Sequence, residues 1–209
     1  MYAGKCGYRE RTCTLAAFHL LKVMISAFHS TQKPRLVRMT RTVWRESVEA
    51  ERYRDAMRRV PAAVTIVTTQ FDHEANGLTA TAVCSVTANP PQVLVCVNRE
   101  ATAHSLIARS RRFVVNFLSE EHEDRARRFS QAKLAAQERF AGISWVVMAT
   151  GSPAMADAIV ALDCSVNTDL ICGTHAIYLA NVVDLRVGNA APLLYRAGEF
   201  CRLMPQSES

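Results

Sequence analysis

Residues 77–91 read GLTATAVCSVTANPP. Even-numbered positions carry Leu78, Ala80, Ala82, Cys84, Val86 and Ala88, while odd-numbered positions carry Thr79, Thr81, Val83, Ser85 and Thr87. Successive side chains of a strand point to opposite faces, so the pattern predicts one strand with hydroxyls along one face and small apolar groups along the other. A half-buried strand ordinarily turns charges or long polar groups to water. Here both faces stay short, which lets the backbone approach something flat or crowded, either another protein layer or a ligand. Asn89, Pro90 and Pro91 end the strand, because proline has no amide to give a ladder.

The flanks extend the β reading. Upstream, Tyr53, Ala56, Met57 and Val60 recur at helical spacing and Pro61 stops the helix. AVTIVTT (63–69) is a β-branched strand, and Asn76-Gly77 is a hairpin turn signal before the hydroxyl strand. Downstream, QVLVCVN (92–98) is apolar enough to be buried on both faces. A short helix follows, with Thr102 placed to cap it, and then the strand RFVVNFL (112–118). SEEHEDRARRFS (119–130) starts with Ser119 and acids and ends with arginines, the order a helix dipole favours, and helical character continues to Phe140. Further strands are expected at about 144–148, 159–168, 176–187 and 193–203. Short strands with turn residues between them, and no βαβ alternation, predict a mainly β antiparallel barrel with peripheral helices.

Composition narrows the partners. The 209 residues carry a formal net charge of +6. Residues 1–38 hold seven basic side chains against Glu10 alone, which is the whole excess. The remainder balances to zero, so the net charge gives no support for a nucleic-acid groove. The apolar stretch 14–28 is broken by His19 and Lys22 and is too short to span a bilayer. It reads as a targeting peptide, as a surface-binding amphipathic helix, or as a segment outside the working protein, with translation starting at Met39; the last is the reading adopted. The expected division is an extension over 1–42 and a folded domain over 43–205. The seven cysteines form no CxxC pair and sit mostly in apolar runs. They read as buried reduced thiols in a cytoplasmic protein with no zinc site and no membrane span.

The motifs of common enzymes are missing. There is no G-x-G-x-x-G, no P-loop, no G-x-S-x-G and no H-E-x-x-H, and His73, His104, His122 and His175 show no metal spacing. What remains is a run of short polar groups: Thr79, Thr81, Ser85, Asn98, Arg99, Thr102, His104 and Ser105. Hydroxyls, a helix start and a cation suit a phosphorylated cofactor. On spacing alone the same group also reads as a turn with its capping residues.

In order along the chain stand GLTATAVCSVTANPPQVLVCVNR, RFVVNFLSEEHEDRARRFS, RFAGISW, TGSPAM, ALDCSV, GTHAIYLANV and PLLYRAGEF. This ordered set, from about residue 53 to 203, resembles the flavin reductase family with the FMN-binding split-barrel fold. Its phrasing is closest to the members serving pyrimidine utilisation; reductases serving 4-hydroxyphenylacetate and phenol hydroxylases stay open. The resemblance implies an antiparallel split β-barrel that pairs as a homodimer. It implies hydride transfer from NADH or NADPH to FMN or FAD, and delivery of reduced flavin to a flavin-dependent monooxygenase. Thr79, Ala80, Thr81, Ser85 and Val86 match the family's ring and ribityl contacts. Asn98, Arg99, Thr102, His104 and Ser105 match the loop and helix start on the phosphate side. His175 in CGTH matches a position near the nicotinamide that the family often writes Gly-Asp-His; here Thr174 replaces the acid. Tyr195 and Arg196 border the same pocket by this matching. The alternatives are a non-catalytic FMN-binding module and a different split-barrel FMN oxidoreductase.

Overall fold

The structure is a computed structural model that describes residues 47–204. The readings of segment 14–28, of Met39, and of Cys6 and Cys13 fall outside those residues. Helix α1 (Ala50–Arg58) leads to the short strand β1 (Ala62–Ala63) and then to β2 (Thr65–Phe71) and β3 (Glu74–Ala80). Next come β4 (Val83–Ala88), β5 (Pro91–Asn98), α2 (Thr102–Ser110) and β6 (Arg112–Phe117). Helices α3 (Glu123–Ser130) and α4 (Ala136–Phe140) precede β7 (Trp145–Val147) and β8 (Pro153–Met155). The chain ends in β9 (Val160–Cys172), β10 (His175–Val187), β11 (Leu194–Arg196) and β12 (Glu199–Cys201).

The main sheet has seven strands in the order β3-β2-β6-β9-β10-β5-β4, every pair antiparallel. The first and last strands of that order, β3 and β4, are consecutive in sequence. Only Thr81 and Ala82 separate them. The opening stretch is therefore a ribbon that leaves one edge of the sheet and joins the other, which gives the sheet its split-barrel form. It is not the single alternating strand expected from the sequence. The step is fixed where the Cys96 amide donates to the Ala82 carbonyl at 3.0 Å. Beyond it the sorting of faces lapses: Cys84, Ser85 and Val86 are all exposed on the edge strand.

The hairpin turn also moves. Asp72 and His73 have φ of 49° and 66° and join β2 to β3 as a two-residue turn with both residues left-handed. Asn76-Gly77 lies inside β3. Glycine is needed there for room: a Cβ would stand 2.8 Å from the Val67 carbonyl oxygen and 2.9 Å from a Phe129 ring carbon.

Alternation in β2 and β6 produces two cores. Ile66 and Val114 join Val64, Leu118, Phe129, Met155 and Leu193 in one. Their neighbours Val67 and Val115 join Val95, Val97, Ile107, Phe113 and Tyr178 in the other. Strand β5 alternates between buried Val93, Val95 and Val97 and half-buried Gln92, Leu94 and Cys96, so it is not buried on both faces. Thr102 is the first residue of α2, and Ala101 occupies the cap position. Ser119 bridges to Pro192, while His122 sits at the start of α3. Among the described cysteines only Cys164 is buried; Cys84 and Cys172 are exposed and all five are free thiols. Burial pushes the Cys164 thiol well above its ordinary value.

His122 anchors this corner. Its Nδ1 accepts the Ser119 amide at 3.3 Å, and its Nε2 lies 3.4 Å from Asp157. Burial, with Arg125 nearby, holds the imidazole below its usual value against the pull of Asp157. Burial opposes ionisation of Asp157, yet Arg125 at 2.8 Å from both carboxylate oxygens keeps that carboxyl below its usual range.

Candidate active site

Two cavities flank β3 where it leaves the sheet. One, of about 270 Å³, lies between β3, the turn from β5 into α2 and the segment after α3; its lining includes Thr79, Asn98, Thr102, Ser130 and Arg139. The other, of about 180 Å³, is lined by Thr79, Thr81, Arg127, Tyr195 and Phe200 among others. Thr79 faces both. Its hydroxyl donates to the Ala126 carbonyl at 2.6 Å, which ties β3 to α3 and holds the wall between the cavities.

Local structure places the polar groups. Asn98 ends β5 and its Oδ1 accepts the Glu100 amide at 3.0 Å, shaping the turn into α2. The first amides of a helix have no partner within it, so the start of α2 at Thr102 presents donors beside the cavity. Across the ladder, His175 of β10 pairs with Asn98. Its Nδ1 lies 2.9 Å from the Thr174 hydroxyl, the residue standing where the family pattern has an acid. Arg99 clasps the same end: its amide donates to the Thr174 carbonyl at 3.0 Å and its Nη1 to the Gly173 carbonyl at 3.2 Å.

The structure thus brings Thr79, Thr81, Asn98, Thr102 and Tyr195 to the cavities, with His175 and Arg99 at the adjoining end of the sheet. The other expected residues lie apart from both linings. Ala80 is buried, its carbonyl accepting from Thr65 Oγ1 at 2.6 Å. Ser85 and Val86 are exposed on β4. His104 packs toward Tyr178, their ring centroids 6.1 Å apart, and the Ser105 hydroxyl caps the Thr102 carbonyl at 2.9 Å.

The main residue missed from the sequence is Arg139. It is only 5% exposed. Its Nη1 donates to Asn76 Oδ1 at 2.9 Å and to the Gly77 carbonyl at 2.8 Å, its Nη2 to the Gln131 carbonyl, and its buried Nε has no partner. Burial pulls the guanidinium below its ordinary value. The ERF of α4 gave no sign of this, since an arginine on a short polar helix ordinarily reads as a solvated charge.

The cavity of about 270 Å³ has hydroxyl and amide groups along one wall, a helix start at its rim and a buried guanidinium in its lining, the groups that suit a phosphorylated cofactor. The match to the model of the flavin reductase like domain covers residues 57–204. The chain belongs to the flavin reductase family. Among curated relatives, the FMN reductase (NADH) RutF of Bradyrhizobium diazoefficiens is 43% identical over 151 residues, spanning 72% of this chain and 83% of the relative. Among solved structures, the Streptomyces globisporus NADH:FAD oxidoreductase SgcE6, in complex with NAD and FAD fragments, matches with a TM-score of 0.71 and 28% identity, over 78% of this chain and all of the other. A nitrilotriacetate monooxygenase component B homolog from Mycobacterium thermoresistibile matches with a TM-score of 0.70 and 26% identity, over 76% of this chain and 89% of the other. Flavin reductase membership agrees with the split barrel seen here.

Proposed function

We propose that the protein is an NADH-dependent flavin reductase acting on FMN, and that the cavities beside β3 are its flavin site. The observation that carries the reading is the meeting of Thr79, Asn98 and the start of α2 around one cavity, in a chain whose family reduces flavins. A bound flavin supplies the chemistry, accepting hydride from nicotinamide and passing the electrons on. The protein's part is to bind and orient. The thin ribbon around Thr81 and Ala82 admits a flat ring, and the amides at Thr102 with the Asn98 turn hold its polar tail. His175, exposed beside Asn98 and steadied by Thr174, stands where a nicotinamide reaching this end would meet it. Hydride transfer between two cofactors needs no protein nucleophile.

The test is direct. Purified protein mixed with FMN and NADH is expected to oxidise the NADH with turnover, followed at the nicotinamide absorbance band. FMN retention with no NADH oxidation would instead indicate a binding module. Oxidation driven by another substrate would indicate a different split-barrel oxidoreductase, and inertness toward every flavin would overturn the assignment.

The reduced product would go to a flavin-dependent monooxygenase, as the component B relative suggests. Pairing as a homodimer is supported by apolar groups left uncovered: Tyr53 and Met57 on α1, Val86 on β4, Leu185 and Val187 on β10. The working unit is proposed to be residues 43–205. Protein lacking residues 1–42 is expected to keep both full turnover and the mass of a dimer, measured by light scattering. Loss of turnover would give the extension a role, and a monomeric mass would overturn the pairing.

A further inference from the structure

Arg139 is a buried cation with no counter-ion. None of the ion pairs among the described residues includes it. Its partners are the neutral oxygens of Asn76, Gly77 and Gln131. These fix the direction of the guanidinium without cancelling its charge. The acids of α3, Glu123 and Asp124, pair with Arg127 and Arg128, and Asp157 pairs with Arg125, while Glu138, beside Arg139 on α4, is exposed to water. Glu100, the one acid lining the same cavity, is exposed to water. A buried charge is normally paired, because desolvation without compensation is costly. A site that receives an anion is one place where the pairing is completed by a ligand.

We propose that Arg139 is the standing counter-charge of the cavity it lines, a positioning residue that selects an anionic group of the flavin. The inference rests on the cavity being the flavin site as proposed above. Two groups of FMN have this chemistry: the 5′-phosphate, and the ring, which becomes negative on reduction. The guanidinium suits either, being permanently charged and weakly hydrated.

The discriminating variant is Asn76→Asp. Asn76 Oδ1 already accepts from both the Gly77 amide at 2.8 Å and Arg139 Nη1. A carboxylate keeps both acceptor bonds and supplies the missing negative charge, so the guanidinium stays in place but is neutralised. Binding of FMN and of riboflavin, each oxidised and dithionite-reduced, is measured by fluorescence or absorbance titration under argon. If the phosphate is the partner, FMN binding in both redox states weakens roughly tenfold and riboflavin is unchanged. If the ring is the partner, the reduced forms of both flavins weaken roughly tenfold and the oxidised forms do not, so the midpoint potential of bound flavin falls. Arg139→Met is expected to act in the same direction. Affinities that are unchanged, or that fall equally for all four ligands, overturn the inference while leaving the flavin site standing. A wild-type protein that binds no flavin overturns the proposed function and this inference with it.

Discussion

Replacing Asn116 by leucine is expected to cost roughly 3–5 kcal/mol of stability, the sum of stranding several buried polar groups at once. Asn116 is fully buried in β6, between β2 and β8. Its Nδ2 donates to the Ile66 carbonyl at 2.9 Å and to Thr68 Oγ1 at 3.1 Å, and its Oδ1 accepts the Met155 amide at 2.7 Å. Thr68 in turn donates to the Pro153 carbonyl. One side-chain amide therefore fastens the β7–β8 hairpin onto the main sheet. Leucine has the same branched outline but bulkier methyl ends and no polar atoms, so the Met155 amide and the Ile66 carbonyl's second contact lose their partner without access to water. For a domain of this size the loss corresponds to a fall in melting temperature of roughly 10 °C. Thermal and urea unfolding followed by circular dichroism check it. A cost under about 1 kcal/mol would mean that the hairpin is held by its apolar contacts alone.

How much of this was readable beforehand follows from the range of each interaction. The strands at 112–118 and 176–187 announced themselves, because β-branched and aromatic runs carry their own local signal and β6 and β10 fall where that signal lies. Asn76-Gly77 misled because its dipeptide has a strong local turn preference, whereas its glycine answers a tertiary demand, the approach of Val67 and Phe129. The turn settled instead on Asp72 and His73, two residues able to adopt left-handed backbone. Residues 77–91 have a period-2 pattern that says nothing about a transfer between sheet edges at Thr81 and Ala82, and beyond that step the alternation lapses. The candidate site shows the same division. Thr79, Asn98 and Thr102 cluster near one another in sequence and were legible as a group. Arg139 joins them through Asn76 and Gly77, each more than sixty positions away, a reach beyond any spacing argument.

Replacing Thr81 by tryptophan is expected to abolish flavin binding while leaving the fold intact. Thr79 would be a poor place for this test, since its hydroxyl holds Ala126 and its loss would disturb α3. Thr81 is exposed and lines the cavity of about 180 Å³ that it shares with Tyr195 and Phe200. An indole at that position would extend into this cavity alongside the Tyr195–Phe200 pair, whose rings already pack edge to face with centroids 5.3 Å apart. It would occupy the space beside the ribbon that the ring is proposed to enter. FMN affinity should fall at least about a hundredfold and NADH oxidation with it, because a pocket already filled offers no surface to bury. The unfolding free energy should stay within about 0.5 kcal/mol of the parent, as for other exposed positions. Thr81→Ser, which keeps the cavity open, should behave nearly as wild type. The serine variant separates obstruction from loss of the threonine itself. Near-normal FMN binding by the tryptophan variant would place the flavin away from this face of β3 and remove the support for the proposed site.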